Sequence, residues 1–267
     1  MASPFPAWGN ASARCASDLL QRLNSESISA ATCFREISIS VGGLGDAESR
    51  PGRKLLVRTV YRRQDEVTQM AFCACSPFFL QGIAFLLVQK KGRVDPFEMH
   101  IFLPYGKRQV ITVGSERRGE GLLGSDFSYD DLKLWHYEDC WGSLRCGNPR
   151  GEKENHLESL DLVWKADLKP RTVQWHKQRL YVQVPEIVLK QIEFFTEADE
   201  RPFRILHLTG HNKVDGITLP DRMCMQNYQT NSETVIRLER AWADRAVDHS
   251  LFEPRSLPEL FQQLQSL

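Results

Sequence analysis

Between residues 33 and 41 the chain alternates with a period of two. Cys33, Ile37, Ile39 and Val41 fall on one side, with Arg35 among them; Glu36, Ser38 and Ser40 fall on the other, with Phe34 among them. That alternation predicts a strand with one buried face. The same texture returns at 54–63, 66–75, 82–91 and 97–105. It resumes after a gap at 159–168, 172–184, 187–198, 201–214, 217–229 and 232–245. Each run is bounded by Gly, Pro or charged clusters, as in an antiparallel meander. Asp215-Gly216 predicts a tight turn between two of them.

Helical periodicity is scarce. Leu19, Leu20 and Leu23 form an apolar stripe after a candidate cap at Ser17 or Asp18, which predicts one helix ending before residue 30. A short helix is expected over 128–137, capped by Ser128, and another after Pro258. Residues 42–52 read as a turn region. Residues 138–157, polar and glycine-bearing, read as a surface loop. Strands do not alternate with helices, so a parallel sheet is not expected. About ten strands are too many for a small barrel and suit one large, curved antiparallel sheet with helices on a face. The fold class is mainly β (α+β). The expected organisation is a flexible segment over 1–16 and a single domain over 17–267.

Charge removes one class of partner. Lys+Arg and Asp+Glu both number 34, so there is no basic excess to support nucleic acid as the main partner. No apolar run reaches the roughly 18 residues that span a membrane; the best, Phe78–Val88, is short and holds Gln81. Of the seven cysteines, Cys73 and Cys75 are spaced as strand neighbours on one face, which favours shared burial over metal ligation. Cys140 and Cys146 flank a glycine-containing stretch and read equally as a disulfide or as two thiols.

The acidic stretch RRGEGLLGSDFSYDDL, Arg117 to Leu132, invites a chemical reading. A calcium loop begun at Asp126 would need Gly at its sixth position and Glu at its twelfth; Asp131 and Tyr137 stand there. A paired-carboxylate hydrolase needs acids on opposite sides of a substrate, which spacing alone does not supply. His207 and His211 lack the HExxH pattern, and neither a GxSxG nor a phosphate-binding glycine loop occurs. The pattern favours a structural segment, with Asp126 or Ser128 as a cap and Phe127 and Tyr129 packing. No cofactor and no metal are expected. A weaker option is an enzyme using Asp126 with Asp130 or His136.

Three blocks carry a family resemblance. IFLPYGKRQVITVGSERRGEGLLGSDFSYDDL, Ile101 to Leu132, resembles the signature of the bacterial outer-membrane lipoprotein-sorting (LolA-like) proteins. CSPFFLQGIAFLLV is similar to an upstream strand of that family through Pro77, Gly82 and Leu86. VDGITLPDRMCMQNYQTNSETVIRLERAWADRAVDHSLFEPRSL is similar to its C-terminal block through Asp215, Gly216, Pro220, Met225, Asn227, Thr234, Phe252 and Leu257. Residues 138–200 show little of the signature.

The resemblance implies an open, incomplete β-barrel lined with apolar side chains and lidded by helices. It implies a non-catalytic periplasmic carrier of lipid or lipoprotein acyl chains, its signal peptide removed. A non-spanning protein working with an inner-membrane transporter fits this picture. The alternative is an envelope interaction module that carries no lipid. On this reading Phe85, Leu87, Phe102, Leu122, Phe127, Tyr129, Met223 and Met225 are the expected cavity or mouth residues. Gly124, Ser125, Asp126, Asp131, Asp215, Gly216 and Pro220 are expected to be structural.

Overall fold

The computed structural model describes residues 16–23, 30–90, 97–114, 117, 119–132, 140–145, 157–164 and 173–267. Thirteen strands form one antiparallel sheet. The first half is a meander: β1 (Thr32–Gly43), β2 (Arg53–Gln64), β3 (Val67–Ser76), β4 (Ala84–Lys90), β5 (Phe97–Phe102) and β6 (Val110–Thr112). The second is another: β7 (Cys140–Arg145), β8 (Leu157–Trp164), β9 (Lys177–Gln183), β10 (Val188–Phe195), β11 (Arg204–Val214), β12 (Ile217–Asn227) and β13 (Ser232–Ala243). The spatial order is β6-β5-β4-β3-β2-β1-β13-β12-β11-β10-β9-β8-β7.

The chain therefore enters at the middle of the sheet and steps outward to the β6 edge. It then crosses to the far edge and steps back until β13 meets β1. The central seam pairs Cys33 with Ala243 and Gly43 with Ser232, with a bulge at Glu36/Ile37. The edges β6 and β7 do not pair with each other, so the sheet stays open. The hairpin between β11 and β12 turns on Asp215 (φ 47°) and Gly216 (φ 90°). Two successive left-handed residues match the twist of the flanking strands, as Asp215-Gly216 predicts. The Asp215 carboxylate also accepts from the Ala243 backbone N–H, tying this turn to the end of β13.

Two apolar layers cover the two faces. The inner layer includes Ile39, Phe72, Phe85, Met99, Leu160, Leu180, Leu206 and Met225. The outer layer joins Val60, Ala71, Cys73, Leu86 and Phe102 to the C-terminal Leu251, Phe252, Leu257, Leu260 and Leu264. The C-terminal segment runs through turns of 3-10 helix into α2 (Leu260–Gln265) and packs on the outside of β2–β5. Burial on both faces explains why β4 reads AFLLV without alternation. Cys73 and Cys75 do share this outer face, their sulfurs 4.0 Å apart. The N-terminal helix, α1 (residues 16–23), lies on the inner side. Its Leu20 abuts β7 so closely that a Cβ on Gly142 would stand 2.9 Å from Leu20 Cδ1.

Two strands depart from the sequence expectation. The stretch read as a surface loop contains β7, and three-residue β6 carries too few residues to show a period. Both are edge strands with one neighbour, and edge strands need no continuous apolar face. The helix expected over 128–137 is, where described, a single 3-10 turn at Tyr129–Leu132; residues 133–139 lie outside the described residues. Cys146 and residues 1–15 also lie outside them, which leaves the Cys140–Cys146 pairing and the flexible segment as expectations.

Leu260 is fully buried against the outer face. Leu260→Ala should cost about 2–5 kcal/mol, read by urea unfolding. It should also raise binding of a hydrophobic dye, because α2 then loosens from β2 and β3.

Candidate functional site

The stretch between β6 and β7 must travel from one sheet edge to the other, and its described part over 119–132 lies on the inner face. It places Leu122, on a 3-10 turn, and Phe127 in the inner core. Four strands hold it. On the β2 side, Arg53 Nη1 donates to the Leu123 carbonyl at 2.6 Å. Gly124 sits at φ 72°, and a Cβ there would lie 2.7 Å from that guanidinium, so glycine is needed twice over. On the β13 side, the Asp126 carboxylate accepts from Thr234 Oγ1 at 2.7 Å and from the Ser232 hydroxyl, while its N–H donates to Thr234 Oγ1 at 2.9 Å. On the β4 side, Tyr129 tilts against Phe85, ring centroids 6.2 Å apart.

The strongest tie is to β11. Arg204 donates from Nη1 to Asp131 Oδ2 (2.8 Å) and from Nη2 to Oδ1 (3.2 Å), and Nη1 also reaches the Asp126 carbonyl (3.0 Å). Both side chains are buried, at 5% and 8% exposure. Phe194 and Phe203 lie against the guanidinium at 4.7 and 5.4 Å. Asp131 also accepts from the Ser128 N–H (2.7 Å) and hydroxyl (2.9 Å), and the Asp131 N–H returns to Ser128 Oγ (3.3 Å). This reciprocal pairing has the logic of a capping box. Ser128 is thus the cap, Asp126 is a cross-link to β13, and Ser125 hydrogen-bonds Phe127. Ser232 and Thr234 hold Asp126's carboxylate; residue 136, its other suggested partner, lies outside the described residues.

Between this connector and the sheet lies a cavity of about 300 Å³. Its wall runs from Met70 on β3 through Val57, Ile39, Ile236 and Met223 to Leu206 and Leu208 on β11 and Leu189 on β10. In a flat sheet β3 and β10 would stand about 29 Å apart at 4.8 Å per strand. Both reach one cavity only because the sheet curls round it. Leu122, Leu123 and Phe127 of the connector close one side, and Leu23 of the N-terminal helix reaches it too.

Of the residues expected at the cavity, Leu122, Phe127 and Met223 line it. Phe85, Leu87 and Met225 lie in the inner core but not on its wall, and Tyr129 packs behind on Phe85. Phe102 points the other way, into the outer layer beneath the C-terminal segment, because its neighbour Ile101 takes the inner side. Pro220 lies on the wall as well.

His211 is a wall residue that the sequence analysis did not place at the cavity. β10 and β11 pair only from Gln191/His207 to Phe194/Arg204. Beyond that, His211 Nε2–H donates to the Leu189 carbonyl at 3.1 Å and closes the gap where the backbone ladder stops. Its Nδ1 accepts from Lys190 Nζ at 3.5 Å. Burial, then the Lys190 charge, lower its pKa from the usual 6.5. His207 does not line the cavity, and no group of three or more His, Cys, Asp or Glu fit to hold a metal occurs among the described residues.

Arg204→Met should cost about 3–5 kcal/mol by leaving Asp131 buried without its partner. Arg204→Met with Asp131→Asn should recover part of that loss, since an amide in place of the carboxylate keeps the cap and buries no charge. Urea unfolding of both variants and of the single Asp131→Asn checks the coupling.

A family model described as "-like: Uncharacterized protein" matches residues 67–259, well over half of the chain. No curated protein matches it. Among solved structures, a domain described as a putative outer membrane lipoprotein-sorting protein domain from Vibrio parahaemolyticus superposes with a TM-score of 0.80 at 14% identity, covering 92% of this chain and 99% of that one. A DUF1329 family protein from Desulfovibrio piger gives 0.80 at 17% identity with the same coverage. A LolA superfamily protein from Nitrosomonas europaea gives 0.64 at 15% identity, covering 89% and 97%. The open sheet and the three sequence blocks agree with these matches: the chain belongs to the family of that model and carries the LolA-like fold of the outer-membrane lipoprotein-sorting proteins.

Proposed function

We propose that this protein is a non-catalytic carrier or binding protein of the bacterial envelope, working in the periplasm, that takes acyl chains of a lipid or acylated lipoprotein into its cavity. The observation that carries this reading is the cavity itself, about 300 Å³ with walls mostly of Leu, Ile, Val, Met and Phe. A polypeptide core normally packs such space closed. A mostly apolar cavity of this size takes apolar ligands. Each buried methylene contributes roughly 0.8 kcal/mol, so a chain of ten gains about 8 kcal/mol before the cost of association. No reacting group is needed for that. The neighbours described as lipoprotein-sorting and LolA superfamily proteins support the same reading. An inner-membrane transporter would be the donor. Cargo leaves when a state with a smaller cavity is favoured or a tighter acceptor competes.

Native mass spectrometry of freshly purified protein should find bound lipid. Ile37, on the cavity wall, is the residue to enlarge. Ile37→Trp should weaken binding of a fluorescent acyl probe by about tenfold or more while thermal melting stays near the parent's. Undiminished binding in that variant would place the ligand elsewhere.

One surface favours the second reading, an interaction module. Phe78 (82% exposed), Phe79 (64%) and Tyr105 (50%) stand together, with Tyr105 Oη donating to the Phe78 carbonyl at 2.8 Å. Lys107 and Arg108 are exposed on the same loop as Tyr105. Clustered exposed aromatics mark contact surfaces. A photoreactive residue at position 79 should cross-link one specific envelope protein if that reading holds. A chain that cross-links but carries no lipid favours the module; a lipid-loaded chain with no cross-link leaves the carrier.

A further inference from the structure

The cavity wall is mostly apolar, and one of its polar corners lies on β1 and β2. β1 and β2 are paired so that Cys33 faces Tyr61 and Arg35 faces Thr59, which sets Arg35 and Tyr61 on one diagonal of the inner face. Both line the cavity, beside Ile37, Ile217, Leu219 and Leu238. This corner is remote in sequence and structure from the connector's clasp. Tyr61 is 5% exposed, and its hydroxyl is buried without a hydrogen bond of normal geometry. The Thr68 hydroxyl lies close enough to favour the ionised phenol, yet burial outweighs it and raises the Tyr61 pKa, so the group remains an O–H donor. The Nε of Arg35 is likewise buried and unbonded. Among the described residues Arg35 has neither an ion-pair nor a hydrogen-bond partner.

The Arg35 Nε–H and the Tyr61 O–H are two buried donors without a well-placed acceptor among the described residues, and each such group costs free energy. Two other arginines have carboxylate partners, Arg204 in Asp131 and Arg179 in Asp161 and Glu193, although Arg204 Nε and Arg62 Nε are also buried and unbonded. The other charged wall residues do not serve Arg35. Asp131 is held by Arg204, and Glu186 is exposed on the β9–β10 turn. At His211 the nearby charge is Lys190, again positive. A group that fits this corner would be an acceptor carrying negative charge, attached to something apolar.

We infer that the Arg35–Tyr61 corner of the cavity is the head-group site for an anionic amphiphile, its oxyanion accepting from the guanidinium and the phenol while its chain lies along the Ile37–Met223 wall. The inference rests on the carrier reading and deepens it by naming the cargo's charge and orientation. Carboxylate and phosphate heads share this chemistry. An arginine is suited to both through its forked donors.

The test uses the full chain, stripped of lipid, titrated at pH 8 with dodecanoate, dodecyl phosphate and methyl dodecanoate by displacement of a fluorescent probe. At least one anion should bind about tenfold or more tighter than the ester. Arg35→Met should bring anion and ester to within about threefold of each other, with ester binding unchanged; Arg35→Lys should keep part of the preference. Tyr61→Phe should weaken anion binding about threefold to tenfold and spare the ester. Whichever anion binds tighter separates a fatty acid from a phospholipid as the source. The empty Arg35→Met protein should melt no lower than the parent, because an Nε–H buried without an acceptor has been removed. Equal binding of all three ligands to the parent overturns the head-group site and leaves the acyl cavity standing. So does a preference that survives Arg35→Met, or a marked drop in that variant's melting temperature. If none of the three binds, the carrier reading falls and takes the head-group site with it.

Discussion

An open sheet whose chain has to cross from one edge to the other depends on how that crossing is held. Here the hold is the buried pairing of Arg204 with Asp131, flanked by Phe194 and Phe203. A buried ion pair is not by itself a source of stability, since desolvation offsets much of the attraction. Its value lies in direction. The guanidinium reads both carboxylate oxygens and one backbone carbonyl, so only one placement of the connector satisfies it. With Arg53 on Leu123 and Thr234 on Asp126, the segment is fixed to strands from both meanders. That arrangement keeps the connector spanning the inner face above a cavity instead of collapsing into it.

The same constraint explains where the space comes from. The connector props Leu122 and Phe127 against the inner wall at one end, and the sheet curls from β3 to β10 around what remains. Interiors pack densely when side chains are free to converge. Here the hydrogen-bonded ladder and the clasp keep the facing surfaces apart. The polar corner at Arg35 and Tyr61 belongs to that picture: a protein folded for stability alone would not bury two such donors beside Leu219 and Leu238 without acceptors.

Much of the architecture was legible in the residues. Apolar runs between turn residues marked eleven of the thirteen strands, most of them by period-two alternation, because a strand with one dry face must alternate. The Asp215-Gly216 turn followed from its dihedral demands, and the shared face of Cys73 and Cys75 from their spacing. The site was only partly legible. Leu122, Phe127 and Met223 line the cavity, whereas Phe102 faces the outer layer and Phe85, Leu87 and Met225 are packed solid. Alternation says which residues share a face. It does not say which of two covered faces is the hollow one. Arg35 did carry a signal: a cation in the apolar register of β1, where a surface strand would place Ile or Val.

The sequence by itself determined the class of the fold, its antiparallel hairpins and its likeness to the lipoprotein-sorting proteins, because those depend on neighbours a few residues apart and on local motifs. Only the tertiary structure decided the rest. It joined β1 to β13 across some two hundred residues, sent the connector over the inner face and placed the C-terminal helix on the outer one. It also gave GSDFSYDD its meaning. Asp126 and Asp131, which resemble ligands in the sequence, are taken up by Ser232, Thr234 and Arg204, partners that lie far along the chain and become neighbours only when the sheet closes its central seam.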